Sequence, residues 1–212
     1  MAHKIESEIT GPLKTNCYLL YDIQEKEAAL IDVAGSIPKL NKIIDKMDLS
    51  LKYLFCTHLH FDHVLGLEEV RNKYPEALLA FNSRELEVME NLGNFARLFE
   101  FDPSSIGKQD VNIENQVFNI GKIELKTLLT PGHTPGSICY FFDKFLFSGD
   151  VLFKRGIGRT DFYGGSFEEI KSSILNLYKF PDDTIVFPGH GEPTDIGSEK
   201  RENPFVNQES IY

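Results

Sequence analysis

Three of the six histidines in this 212-residue chain fall within positions 58–63, in Thr57-His58-Leu59-His60-Phe61-Asp62-His63, with a carboxylate among them. Neutral imidazole is a ligand for Zn and Fe, and a carboxylate adds a hard oxygen and a negative charge. A helix would turn His58 and His60 to nearly opposite sides, whereas extended backbone puts residues i and i+2 on one side. The spacing therefore demands a strand end or a loop. A surface loop, or histidines that only cap and hydrogen-bond, would account for one such residue; the clustering points to a metal site.

Three further candidates share that local setting, an apolar run ending in a glycine-containing turn. They are His133 in Thr130-Pro131-Gly132-His133-Thr134-Pro135-Gly136-Ser137, Asp150 in Ser148-Gly149-Asp150 and His190 in Pro188-Gly189-His190-Gly191. Glycine beside each one lets the backbone approach closely and aim the side chain. Singly, each reads equally well as a turn-stabilising residue. Together, His58, His60, Asp62, His63, His133, Asp150 and His190 offer five imidazoles and two carboxylates. That set exceeds one tetrahedral ion and suffices for two if one carboxylate bridges.

The elements that must position these residues follow from apolar periodicity. Residues 5–33 read as a β meander, with Asn16–Tyr21 and Ala28–Asp32 separated by a polar turn. Ile37, Leu40, Ile43, Ile44 and Met47 form one face of a helix opened by Ser36. Tyr53-Leu54-Phe55-Cys56 is a short strand that delivers the histidine cluster, and a helix follows from Gly66 to Tyr74. Ala77–Phe81 is a further strand, and Ser83 opens a helix with Leu86, Met89 and Leu92 inward. Residues 93–112 fit neither period; the aromatic stretch Asn94–Phe101 reads as a flap over a pocket or as a core helix. The second half is β-rich, with strands at 116–118, 123–129, 138–142, 145–148 and 184–187, and Ser166-Phe167-Glu168-Glu169 is a capping box for a helix to about Tyr178. With no Gly/Ser linker, low-complexity tract or repeat, residues 1–212 read as one domain.

A formal net charge of −10 with no basic run excludes the usual electrostatics of nucleic-acid and anionic-membrane partners. No apolar run approaches membrane-spanning length and the N-terminus has no signal-like core, so a soluble cytoplasmic protein is expected. Cys17, Cys56 and Cys139 are odd in number, far apart and flanked by apolar residues, as expected of small buried hydrophobes in a reducing compartment.

The order HxHxDH, TPGHTPGS, SGD and PGHG resembles the metallo-β-lactamase fold superfamily over nearly the whole chain. The resemblance implies an α/β architecture, an αββα sandwich of two mixed β-sheets flanked by helices, with the metals at one edge of the sheets. Carried over by motif, His58, His60 and His133 hold a first metal, Asp62, His63 and His190 a second, and Asp150 bridges them. Gly158-Arg159-Thr160-Asp161-Phe162 and the segment Thr194–Phe205 resemble the short, single-domain branch of glyoxalase-II-like hydrolases, associated with acyl-glutathione thioesters. Longer glyoxalase II enzymes carry an added C-terminal helical domain with basic residues for glutathione, which this chain, ending soon after Pro204-Phe205, is expected to do without.

The implied chemistry is metal-assisted hydrolysis of a small-molecule thioester such as lactoyl-glutathione, with two divalent cations activating a bridging water and polarising the carbonyl. Zn is the first expectation, and Fe and Mn suit the same ligands. Asp62 is expected to orient the nucleophile, and the forked guanidinium of Arg159 suits an anionic substrate group. Arg159 reads equally as half of a surface salt bridge. The same motifs resemble Fe-dependent persulfide dioxygenases acting on glutathione persulfide, and lactone or other ester hydrolysis is a third reading.

Overall fold

Short polar turns between apolar runs open the chain as a meander. A computed structural model, which describes residues 3–91 and 101–207, places β1 at His3–Thr10, β2 at Thr15–Asp22 and β3 at Glu27–Ile31, each antiparallel to the last. Every residue of β2 is buried, as befits an interior strand, whereas β1 is partly exposed along its length. From β3 the chain crosses through α1 (Pro38–Met47) to β4 (Ser50–Phe55), then through α2 (Phe61–Val64) and α3 (Leu67–Lys73) to β5 (Leu78–Phe81). Beyond α4 (Glu85–Asn91) and a 3-10 turn at Pro103–Ile106 it reaches β6 (Val111–Asn112). β3 to β6 run parallel, completing a six-stranded sheet in the order β1-β2-β3-β4-β5-β6.

The second sheet begins with a four-stranded antiparallel meander: β7 (Val117–Ile120), β8 (Ile123–Leu129), β9 (Ile138–Phe142) and β10 (Phe145–Gly149). A small hairpin of β11 (Leu152–Phe153) and β12 (Gly156–Ile157) follows, and α5 (Phe167–Leu177) carries the chain to β13 (Ile185–Pro188), parallel to β10. β14 (Thr194–Asp195) closes that edge before α6 (Ile196–Glu202), giving the order β14-β13-β10-β9-β8-β7.

Packing makes four layers of these elements. Tyr18, Ile31, Phe55, Phe118, Tyr140 and Phe147 fill the space between the sheets. On the outer face of the first sheet, Leu40 and Ile44 of α1 and Leu67 and Val70 of α3 join the cluster that holds Leu19, Leu30 and Leu54. On the outer face of the second, Ile170, Ile174 and Leu177 of α5 cover Leu146 and Val186. This is the αββα sandwich the sequence implied. No described helix is long and apolar enough to cross a membrane.

Two helix readings shift. The first helix begins at Pro38 rather than at Ser36: Pro fits the first helical position, where its missing N–H is no loss, and the Ser36 hydroxyl donates to Glu69 Oε1 instead of capping (3.2 Å). In α4 the inward residues are Glu85, Val88 and Met89, and Leu86 is 41 % exposed. Leu92 and most of the aromatic stretch read as a flap lie outside the described residues; Phe101 at its end is buried in the outer core of the first sheet.

Phe55 stacks on Tyr53 of its own strand, touches Phe118 and Tyr140 across the intersheet space and is fully buried. Phe55→Ala is expected to destabilise the protein by about 3–5 kcal/mol, against about 0.5 kcal/mol or less for Val117→Ala on the exposed face, as read by urea denaturation.

Candidate metal centre

Strand direction brings the candidate residues to one edge. β8 and β10 are both antiparallel to β9, so they point the same way, and β13 is parallel to β10. The segments leaving β8, β10 and β13 carry His133, Asp150 and His190, and the segment leaving β4 carries His58 and His60. Asp62 and His63 stand one turn further on, in the short helix α2. Hydrogen bonds between the sheets close this edge. Ile138 N–H donates to Thr57 O (2.8 Å), Asn16 N–H to Gly189 O (2.7 Å), and the Tyr18 hydroxyl to Pro188 O (2.6 Å).

Close approach explains two glycines in the motifs. Gly149 has φ +50 and its missing Cβ would lie 2.5 Å from Thr57 Oγ1; at Gly189 a Cβ would lie 2.3 Å from Asp150 Oδ1. Side chains at either position would push the ligand-bearing loops apart.

All seven candidates converge. Donor atoms of His58, His60 and His133 lie within 4.8 Å of one another, as do those of Asp62, His63 and His190, and those of His58, His63 and Asp150. Asp150 stands between the two triads: Oδ1 is 3.4 Å from His63 Nε2, while Oδ2 is 3.7 Å from His133 Nε2 and 3.6 Å from His190 Nε2. Six of the seven are at least nine-tenths buried or nearly so; the side chain of His190 is 28 % exposed and faces the opening.

The surrounding hydrogen bonds assign Nδ1 as the hydrogen-bearing nitrogen of His58, His63 and His133. Asp32 Oδ1 accepts from Thr57 N–H (2.8 Å) and Oδ2 from the Thr57 hydroxyl (2.8 Å). With its hydrogen so committed, the Thr57 oxygen accepts from His58 Nδ1–H (3.0 Å). The Arg159 carbonyl accepts from His133 Nδ1–H (2.8 Å), and Asp32 Oδ2 from His63 Nδ1–H (3.0 Å). Inward-facing Nε2 atoms of His58 and His133 are therefore lone pairs, 3.3 Å apart, and His133 Nε2 is 2.9 Å from His60 Nδ1. His63 Nε2 and Asp150 Oδ1 are buried without any hydrogen-bond partner. Acceptors packed against acceptors in a dry pocket repel one another unless positive charge lies between them. The donor set and its orientation fit divalent cations.

Ionisation agrees with this. Burial, then the neighbouring imidazoles, holds His58 well below its ordinary value, and burial with His133 lowers His60 to about 3. Burial also lowers His133. At His63 the burial penalty is outweighed by Asp150, Asp32 and Asp62, which push the imidazole well above its ordinary value. Burial would raise Asp62 and Asp150, but His63 and further histidine contacts leave both carboxyls below the usual range.

Four residues that the motifs did not reveal support the centre. Asp32, in left-handed backbone (φ 57) just after β3, is the hub of the hydrogen bonds above. Thr57 relays them to His58, and the Thr15 hydroxyl donates to Asp62 Oδ2 (3.2 Å). Fully buried Glu85 accepts from Leu59 N–H (3.0 Å) and Gly136 N–H (2.7 Å), tying the His58–His60 loop to the His133 loop. Asp32 had a signal, a strand-ending carboxylate shortly before Gly35; Glu85 had a polar side chain on the inward face of its helix.

Arg159 lines the cavity above the centre. Its guanidinium lies 3.7 Å from the centroid of the Phe162 ring and forms two 2.7 Å hydrogen bonds to Asp161. Both members of this ion pair are exposed.

A model of the metallo-beta-lactamase superfamily matches residues 10–190. The chain is 38 % identical over 200 residues to the hydroxyacylglutathione hydrolase GloC of Haemophilus influenzae, covering 92 % of this chain and 94 % of that one. Among solved structures it resembles the BLEG-1 B3 metallo-beta-lactamase (TM-score 0.85, 35 % identity, 96 % of this chain and 99 % of that one). It also resembles TTHA1623 in a di-iron-bound form (TM-score 0.83, 28 % identity, 95 % of this chain and all of that one).

Removing the hub tests the support argument. Asp32→Asn is expected to leave the fold in place, by circular dichroism, and to weaken divalent-metal affinity by roughly 10–100-fold in chelator competition.

Proposed function

The chain belongs to the metallo-beta-lactamase superfamily and is a metallo-hydrolase, and from that premise we propose that it hydrolyses thioesters, with acyl-glutathiones such as lactoyl-glutathione as the substrate class. The observation that carries the reading is the complete pair of ligand triads on either side of Asp150, together with similarity to a hydroxyacylglutathione hydrolase over nearly the full length of both chains. A mononuclear oxygen chemistry, such as persulfide oxidation, would leave Asp62, His63 and His190 without a task.

His58, His60 and His133 would hold one ion, Asp62, His63 and His190 the other, and Asp150 would lie between. Zn suits these imidazole and carboxylate donors, and Fe or Mn are the alternatives. Bound there, the cations supply hydroxide at neutral pH and a Lewis acid for the carbonyl. The chain's own groups do the rest. Asp62, anionic and held by Thr15, orients the attacking water and receives its proton. The water oxygen bonds to the carbonyl carbon, the C–S bond breaks with its electron pair on sulfur, and the proton passes from Asp62 to the departing thiolate. Arg159, at the mouth on the His133 side, meets a carboxylate of the thiol carrier in exchange for Asp161.

Metal-loaded protein should hydrolyse lactoyl-glutathione with kcat/KM of roughly 10⁴ M⁻¹s⁻¹ or more, and His58→Ala should abolish it. Glutathione persulfide oxidation with O2 uptake in place of hydrolysis would contradict the proposal. Arg159→Ala should raise KM roughly tenfold with a smaller change in kcat, the loss of one charge-assisted contact; an unchanged KM would remove Arg159 from the substrate site.

A further inference from the structure

The cavity over the metal centre, about 410 Å³, is lined by five of the candidate ligands and by Leu13, Phe61, Phe153, Ile157, Phe162 and Arg159. Apart from the ligands, every lining side chain among the described residues is apolar except Arg159. The two ends differ. Arg159 belongs to the His133 side, where its carbonyl holds the imidazole and its guanidinium stacks on Phe162, whose ring is 5.7 Å from that of His60. At the opposite end the Phe153 ring lies 6.2 Å from that of His190. Leu13 reaches the same end from the β1–β2 hairpin, which is joined to His190 by a bridge at Thr15.

Leu13 is 46 % exposed at the mouth. A large apolar side chain held at the opening of an otherwise apolar wall is placed to cover something apolar. A hydroxyl carried to that end would find, besides the candidate ligands, no described lining side chain to pair with, whereas a methylene there covers apolar wall. Resting on the thioesterase reading, we propose that the preferred acyl group is an unsubstituted apolar chain of several carbons, seated against Leu13 and Phe153, with the thiol carrier directed toward Arg159. A short acyl group such as lactoyl does not reach that apolar end and is then a poorer substrate than longer apolar chains.

The test is a homologous series of S-acetyl-, S-propanoyl-, S-butanoyl- and S-hexanoyl-glutathione set beside S-lactoyl-glutathione, using metal-loaded protein. Each added methylene should raise kcat/KM roughly fourfold until the end wall is reached. Lactoyl should fall below butanoyl and hexanoyl, whose chains extend to Leu13 and Phe153. Phe153→Ser and Leu13→Ser should each flatten the slope of the series. Binding of the non-hydrolysable S-methyl-, S-butyl- and S-hexyl-glutathiones, by calorimetry, should tighten in parallel. A flat or falling series, or lactoyl ahead of hexanoyl, overturns the assignment and leaves the thioesterase reading standing. If no thioester is hydrolysed, that reading falls, and the S-alkyl series alone decides: Kd falling with chain length upholds the apolar end, and Kd independent of length overturns it.

Discussion

Imidazole lone pairs and carboxylate oxygens crowd together at the edge of this sandwich and need positive charge, a cation or a proton, between them. His58 and His133 present Nε2 atoms 3.3 Å apart, each with its Nδ1–H already given to an oxygen behind it. His63 Nε2 faces Asp150 Oδ1 at 3.4 Å with its other nitrogen bound to Asp32, and the carboxylates around it favour positive charge on that side of the imidazole. Such an arrangement opposes folding unless positive charge enters it, and the raised ionisation of His63 expresses the same demand. The polar groups outside the ligand set are there to hold an assembly that would otherwise spring apart.

Sheet topology meets this demand with strands that end together. β8, β10 and β13 share a direction, so three loops distant in sequence release His133, Asp150 and His190 at one level, opposite the loop that follows β4. Glu85 then ties two of these loops through their backbone N–H groups, and Asn16 and Tyr18 fasten β2 to the end of β13. The candidate ligand side chains therefore hang from strand ends tied to one another, while other groups that line the cavity, Leu13, Phe153 and Arg159, come from hairpins and turns. The division suits a superfamily in which one metal frame serves several substrates.

Much of this was legible in the residues themselves. The seven candidate ligands stand out because their side chains are the chemistry and because glycine-bearing strand ends repeat around them. Most strands follow from apolar runs of strand length, while their arrangement in two mixed sheets came with the family resemblance, and Ser166 caps α5 as its pattern predicts, accepting from Glu169 N–H. The roles of Asp32 and Glu85 were harder to read for a physical reason: their partners are 25 to 51 residues away, so the position of each carboxylate marks it out without showing what it holds. Leu86 was misplaced because Glu85 occupies an inward position where an apolar residue would be expected, so the helical phase was taken one residue late. The two-residue strands β11, β12 and β14 are too short for any periodicity to register.

Counting metal per chain tests the dinuclear centre most directly. Elemental analysis of protein saturated with Zn and freed of excess should give about two ions per chain, and about one in His190→Ala, which removes a ligand from the second triad alone. About one ion in the unaltered protein, unchanged by His190→Ala, would contradict the account: the second triad would then be a hydrogen-bonded cluster, and a hydrolysis that depends on both triads would have to be abandoned.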